Sequence, residues 1–260
     1  MEINQMRVAF TIVLNGEHHL RNNFKNNLDI FDKWIIVEGV AAPGGSTNWC
    51  KSLPGTESDD NTMEFCKALQ LSHPDKVVYL PPPYDYQYSS KDEQVNEAIK
   101  RVKRLTGECF LWQVDVDEVW KKEDVENAER VLRENGAKTM GFYCNYYVGK
   151  NQIVKGEWGE GKHTPYIRLW DWKGEMFKTH EPPRLDPNNG KTIISSIRFD
   201  HFAYVYEQDV KFKEIYYQGY EGLFDRWTKV QLNKGKLHIS ALLGTNTWWG
   251  TTDTYIHCIK

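Results

Sequence analysis

The sequence has no Cys-x-x-Cys pair, no long apolar run and no excess of either charge, and each absence excludes something. The five cysteines, Cys50, Cys66, Cys109, Cys144 and Cys258, are odd in number and unpaired in spacing. They read as free thiols of a reducing compartment rather than as a disulfide framework. Lys and Arg number 33 against 36 Asp and Glu, a net charge of −3. That balance gives no electrostatic reason to expect nucleic acid or an anionic membrane as a partner. The apolar runs fall short of the roughly 20 residues a spanning helix needs. Met1–Phe10 also lacks the charged-then-apolar layout of a signal peptide. The expectation is a soluble, cytoplasmic protein with no transmembrane segment. There is no internal repeat and no low-complexity linker, and 260 residues can bury a sizeable core without staples. A single domain over 1–260 is the simplest layout.

Aromatic residues are plentiful: 10 Trp, 14 Tyr and 11 Phe, densest after residue 140. A large aromatic core accounts for them. A stacking surface for the C–H face of a sugar is the functional alternative.

The first half alternates strand and helix. Arg7–Leu14 is a short, nearly continuous apolar run, as for a strand buried on both faces, and Lys33–Glu38 repeats the pattern. Lys76–Leu80 is a third strand and Cys109–Val114 a fourth. Between them, Glu17–Leu28, Thr62–Leu71 and Lys91–Leu105 carry apolar residues at helical spacing, and Ala41–Asn61 is a long Gly-, Pro- and Ser-containing loop. This order predicts a parallel sheet with right-handed crossovers. The second half breaks the rhythm. Thr139–Tyr147, Gln152–Val154, Tyr166–Trp170 and Arg198–Tyr204 read as strands with little helix between them, and one long helix spans roughly Gln208–Lys229.

The most informative segment follows the fourth strand: Val114-Asp115-Val116-Asp117-Glu118. Two carboxylates stand on alternate positions at the carboxyl end of a buried strand, the edge where open parallel sheets bind ligands. Such a pair can grip a hard cation, Mn²⁺ or Mg²⁺, which in turn neutralises phosphates. The plainer alternative is a polar turn in which Asp117 or Glu118 caps a helix over Lys122–Asn135.

Taken together, these segments resemble the glycosyltransferases of the GT-A fold, within the family 2-like group. Thr11-Ile-Val-Leu-Asn15-Gly16-Glu17 resembles the family's first strand and nucleotide-side turn, and Trp34–Glu38 its second strand. Thr56–Thr62 resembles its Ser-x-Asp-Gly-Thr stretch, and Leu111–Glu118 its strand and DxD. Ile167-Arg168-Leu169-Trp170 with His180-Glu181 resembles the acceptor-side strand and its His-Glu, and His201-Phe-Ala-Tyr204 the late His-x-x-Tyr. The likeness spans about residues 7–230. Three departures are a Glu at 38 where Asp is usual, an insertion over Val40–Gly55, and Asn61 in place of Gly.

The resemblance implies an α/β fold with a mostly parallel, helix-flanked central sheet and a mixed-strand acceptor-side half. The nucleotide-sugar half covers about 1–120 and the acceptor half about 121–260. It implies transfer of a sugar from a UDP- or GDP-sugar donor to a carbohydrate hydroxyl, with Mn²⁺ or Mg²⁺ as cofactor. Asp117 is implied as direct metal ligand, Asp115 as a ribose or metal-water contact, and His201 as a second metal ligand. Asn15, Glu17 and Glu38 fall on the nucleotide side, and Arg168 is among the cations available to the diphosphate, with Lys91, Lys178 and Arg184. Glu181 is the candidate general base, with Asp186 and Glu175 in reserve, and inversion is expected. Two rival readings are a haloacid-dehalogenase-like phosphatase, with the first Asp as nucleophile, and a non-catalytic carbohydrate-binding protein. Trp248-Trp249-Gly250 reads as a lid or as terminal packing. His18-His19 and His163 lack metal-ligand spacing.

Overall fold

A computed structural model describes residues 5–158, 165–187, 190–244 and 253–259. His163 and Trp248–Gly250 lie outside the described residues.

The front half runs β1 (Arg7–Val13), α1 (Glu17–Ile30), β2 (Lys33–Glu38), α2 (Thr62–Ser72), β3 (Val77–Leu80), α3 (Lys91–Leu105) and β4 (Cys109–Gln113). Its strands lie side by side in the order β3-β2-β1-β4, all parallel. The alternation of burial explains why the strands read as continuous apolar runs: both faces are covered. Val8, Phe10, Ile35 and Val37 point into one core with Val95, Ile99 and Val102 of α3. Ala9, Val13, Trp34 and Ile36 point into the other, with Leu20 and Leu28 of α1 and Leu69 of α2. A one-residue slip of any of these strands would exchange the two sets.

The chain continues through β5 (Glu118–Val119), α4 (Lys122–Glu134), β6 (Thr139–Gly149), β7 (Gln152–Gly156), β8 (Tyr166–Trp172), β9 (Met176–Thr179), β10 (Arg184–Asp186) and β11 (Thr192–His201). It closes with α5 (Glu207–Tyr216), α6 (Leu223–Leu232), β12 (Leu237–His238), α7 (Ser240–Leu243) and β13 (Thr254–Cys258). Strand β8 lies antiparallel between β4 and β6, and β6 also pairs with β11 in parallel and with β7 antiparallel. The result is the expected mixed α/β, Rossmann-like architecture, with a parallel first half and a mixed-strand second half. Among the described residues, no helix is long and apolar enough to cross a membrane.

Several local expectations are corrected. The single helix over 208–229 is two, α5 and α6, parted by a turn in which Gly219 and Gly222 take φ of 75° and 71°. The strand expected over 198–204 starts at Thr192 and stops at His201, and the β9–β10 hairpin has too short a pattern to register in sequence. The helix-cap reading of Asp117 and Glu118 fails, because Lys121 is the N-cap of α4 and Glu118 belongs to β5. Trp34, Trp112, Trp120, Trp170 and Trp172 are fully buried, so much of the aromatic content is core.

Candidate functional site

The Asp115–Glu118 segment leaves β4 without losing its hold on the sheet. Val114 N donates to Phe10 O at 3.0 Å, and Thr11 Oγ1 donates to Val114 O at 2.6 Å. A turn closed by Glu118 N to Asp115 O (3.1 Å) then returns the chain into β5. The β5–β11 register sets His201 opposite Glu118, and Phe202 N donates to Asp117 O at 2.8 Å. Residues more than eighty positions apart are thereby fixed next to one another. The antiparallel β4–β8 register, Trp112 against Leu169, sets Arg168 level with the strand end from the other side.

Arg168 is 3 % exposed, and its guanidinium forks across two carboxylates. Nη2 reaches Asp115 Oδ2 at 2.7 Å and Glu118 Oε1 at 2.6 Å, while Nε reaches Glu118 Oε1 at 2.9 Å. Glu118 is wholly buried and also accepts from Trp120 Nε1 at 3.3 Å. Burial pushes its carboxyl up, to about 7, against the pull of Arg168. Burial likewise opposes the charge on Asp115, but Arg168 outweighs it and holds that carboxyl below its usual range. Arg168 is thus committed to the DxD turn and is not a free cation for a diphosphate. Arg168→Leu leaves Glu118 buried without its counter-charge, so a loss of about 3–5 kcal/mol is expected in urea unfolding at pH 8. An unchanged midpoint there contradicts the buried pair.

Asp117 is held differently. Among the described residues its carboxylate has one close polar neighbour, His201 Nε2, at 3.4 Å. That is longer than a good N–H···O bond. His201 Nδ1 is buried, the Cys144 thiol helps to hold the ring's charge, and the rings of Tyr146 and Tyr166 face the imidazole. Burial works against both charges, yet their mutual attraction prevails. Asp117 stays well below the usual carboxylate range, and His201 rises to about 10.

The turn after β9 presents His180 and Glu181, and the insertion at 40–55 holds it. Ser46 N donates to Asp92 Oδ2 at 2.9 Å, and Ser46 Oγ donates to Asp92 Oδ1. Ser46 Oγ accepts from His180 N (3.1 Å) and Glu181 N (3.0 Å), and Asp92 Oδ1 accepts from His180 N at 2.5 Å. Gly45 (φ +52°) is required here, since a Cβ would lie 2.1 Å from Asp92 Oδ2. Glu181 is exposed at the rim. Desolvation by the surrounding protein raises its carboxyl above the ordinary value, with Lys91 opposing the rise and Asp115 adding to it.

His180 is buried, and burial together with Lys91 lowers it from 6.5 to about 4. The unfolded chain therefore takes up this proton first, so the contribution of His180 is complete above pH 6.5 and is lost as the pH falls toward 4. At pH 5 the loss amounts to about 2 kcal/mol. Unfolding of His180→Gln followed from pH 7 to 5 is expected to show a correspondingly shallower decline than wild type; parallel curves contradict it.

In the turn after β1, Asn15 takes a left-handed φ of 54°, and the amides leading into α1 are already partnered by side chains from 58–62. Asn15 N donates to Ser58 Oγ (3.0 Å), Gly16 N to Thr62 Oγ1 (2.9 Å) and Glu17 N to Asp60 Oδ2 (3.3 Å). Asn15 Oδ1 in turn accepts from Asp59 N at 2.9 Å, and the Glu17 carboxylate pairs with Arg21. Glu38 does not face an open base site. It is fully buried and accepts from Ser58 N at 2.6 Å and Tyr79 Oη at 3.2 Å, which ties the 58–62 segment to β2. Of the spare residues, Glu175 pairs with Lys138 at 2.6 Å, Asp186 is exposed on β10, and Lys91 lies over Tyr216 at 5.2 Å.

The structure therefore gathers Asp115, Asp117, Arg168, His201 and Glu181 at one end of the sheet, with Asn15 and Glu17 on the adjoining turn and Glu38 beneath it. Glu118, His180, Ser46 and Asp92 belong to the same constellation, although the sequence pattern does not single out their roles. Asp115, Asp117 and His201 do not form a preformed cage: among the described residues, the one group of three ligand atoms within 4.8 Å of one another is His18, His19 and Asp209.

No family model matches the sequence, and no curated protein matches it. Among solved structures, the crystal structure of S. aureus TarS 1–349 aligns at 16% identity and a TM-score of 0.37, covering 56% of this chain and 37% of that one. The crystal structure of 4-diphosphocytidyl-2C-methyl-D-erythritol synthase aligns at 11% identity and a TM-score of 0.35, covering 65% and 76%. At these TM-scores the two likenesses carry no argument about activity, and the chain spans little more than a third of the TarS structure.

Proposed function

We propose that the chain is a glycosyltransferase that moves a sugar from a UDP- or GDP-sugar to a carbohydrate hydroxyl with inversion. The observation that carries this reading is the meeting of the Asp115–Asp117 carboxylates with Arg168, His201 and Glu181 at the carboxyl end of a parallel sheet. That edge suits a nucleotide ligand.

A divalent cation fits the residues present. Asp117 is a largely buried carboxylate whose one close partner, His201 Nε2, stands at 3.4 Å, too far for a good hydrogen bond. Asp117 and His201 would hold Mn²⁺ or Mg²⁺, with Asp115 beside them, and the ion would neutralise the diphosphate leaving group. Arg168 keeps Asp115 ionised and fixes the turn. Glu181, on the rim and raised in pKa, would take the proton of an acceptor hydroxyl. A phosphatase reading is disfavoured, because Asp115, its required nucleophile, is held by Arg168 at 2.7 Å. The test is to incubate the protein and Mn²⁺ with a panel of UDP- and GDP-sugars. Release of nucleoside diphosphate, suppressed by a chelator, is expected; absence of release from every donor, with and without saccharide acceptors, contradicts the proposal.

A further inference from the structure

We infer that His18, His19 and Asp209 form a second cation site, selective for a borderline transition ion of the Zn²⁺ class. His18 and His19 stand in the first turn of α1, and Asp209 in the first turn of α5, 190 residues later. His18 Nε2 lies 2.8 Å from Asp209 Oδ1, and His19 Nε2 lies 2.9 Å from Oδ2, one imidazole to each oxygen. All three ligand atoms fall within 4.8 Å of one another. The two rings are 4.2 Å apart, and Tyr206 packs edge-on against both, at 5.2 and 5.3 Å.

His19 Nε2 is well aligned with the carboxylate, whereas His18 Nε2 is as close but lies off the line of a good hydrogen bond. Nitrogen and oxygen lone pairs turned toward a common point produce that geometry. Two donors about 2.1 Å from a tetrahedral ion lie about 3.4 Å apart, so a modest outward shift of the Asp209 carboxylate from the imidazoles would admit one. Two imidazoles and a carboxylate favour Zn²⁺, Co²⁺ or Ni²⁺ over Mg²⁺, which prefers oxygen. The site also has a mechanical consequence. It joins the β1–α1 turn of the nucleotide-side half to the helix that follows β11, so a bound ion clamps the two halves. It lies beside the DxD segment, since His19 and Lys213 both help to keep Asp117 ionised. The inference is independent of the transferase reading.

The test is a Zn²⁺ titration of chelator-treated protein in excess Mg²⁺, with the Co²⁺ visible spectrum and the melting temperature as further readouts. Wild type and Asp117→Asn are expected to bind one equivalent tightly and to melt higher with the ion. His18→Ala and His19→Ala are expected to lose at least tenfold in affinity. His18→Gln keeps a polar side chain beside Asp209, so it is expected to keep the melting temperature of the metal-free protein but not the affinity. The partly exposed His18 keeps the test available if His19→Ala does not fold. The site is refuted if wild type binds no stoichiometric Zn²⁺. Affinity that survives in both histidine variants, or that disappears in Asp117→Asn, also refutes it.

Discussion

Glu181→Gln is expected to lower turnover about 10²–10⁴-fold, the usual contribution of a positioned general base. The substitution keeps the shape of the side chain and leaves the backbone bond from residue 181 to Ser46 Oγ in place. Donor affinity is expected to stay within about twofold of wild type, because the residue acts on the acceptor. With Glu181 as the base and neither Asp115 nor Glu175 free to act as nucleophile, the product should show inverted anomeric configuration. Asp115 is paired with Arg168, and Glu175 with Lys138. Proton NMR coupling of the product reads the configuration directly. Retention, or near-normal turnover of the variant, removes Glu181 from the proposed role.

Asp117→Asn is expected to abolish the Mn²⁺-dependent part of nucleoside-diphosphate affinity. The loss should exceed the roughly 10–100-fold that follows removal of a residue merely supporting a metal ligand. The turn itself is expected to survive, because Phe202 N bonds the backbone carbonyl of residue 117 and not its side chain. His201 then loses its counter-charge, and its pKa should fall from about 10 toward the ordinary value of 6.5. NMR titration of the imidazole follows that fall. A variant that binds nucleotide and Mn²⁺ like wild type excludes Asp117 as a ligand.

The front half of the fold was legible because its strands are buried on both faces. Runs such as Arg7–Val13 and Cys109–Gln113 have one plausible state, and the helices between them carry clear apolar faces. The DxD turn was legible for the same reason: a strand that hydrophobic must end where Asp115 begins. What the sequence could not show is which charges meet. Arg168 read as a cation available to a diphosphate, yet the β4–β8 register turns it onto Asp115 and Glu118. Glu118 read as a helix cap because nothing local reveals the short β5–β11 pairing. His18 and His19 lacked ligand spacing because their third partner, Asp209, is far along the chain. The long helix was overextended because the glycine turn at 219–222 is flanked on both sides by helical periodicity.

The most direct test of the central claim is the melting temperature of the wild-type protein with UDP or GDP in the presence of Mn²⁺. One nucleoside diphosphate together with Mn²⁺ is expected to stabilise the fold beyond either component alone, by about 2.7 kcal/mol at a ligand concentration near 100 times Kd. A chelator should abolish the gain, and Asp117→Asn should not show it. A folded wild-type protein whose melting temperature is unmoved by every nucleoside diphosphate with Mn²⁺ contradicts the account.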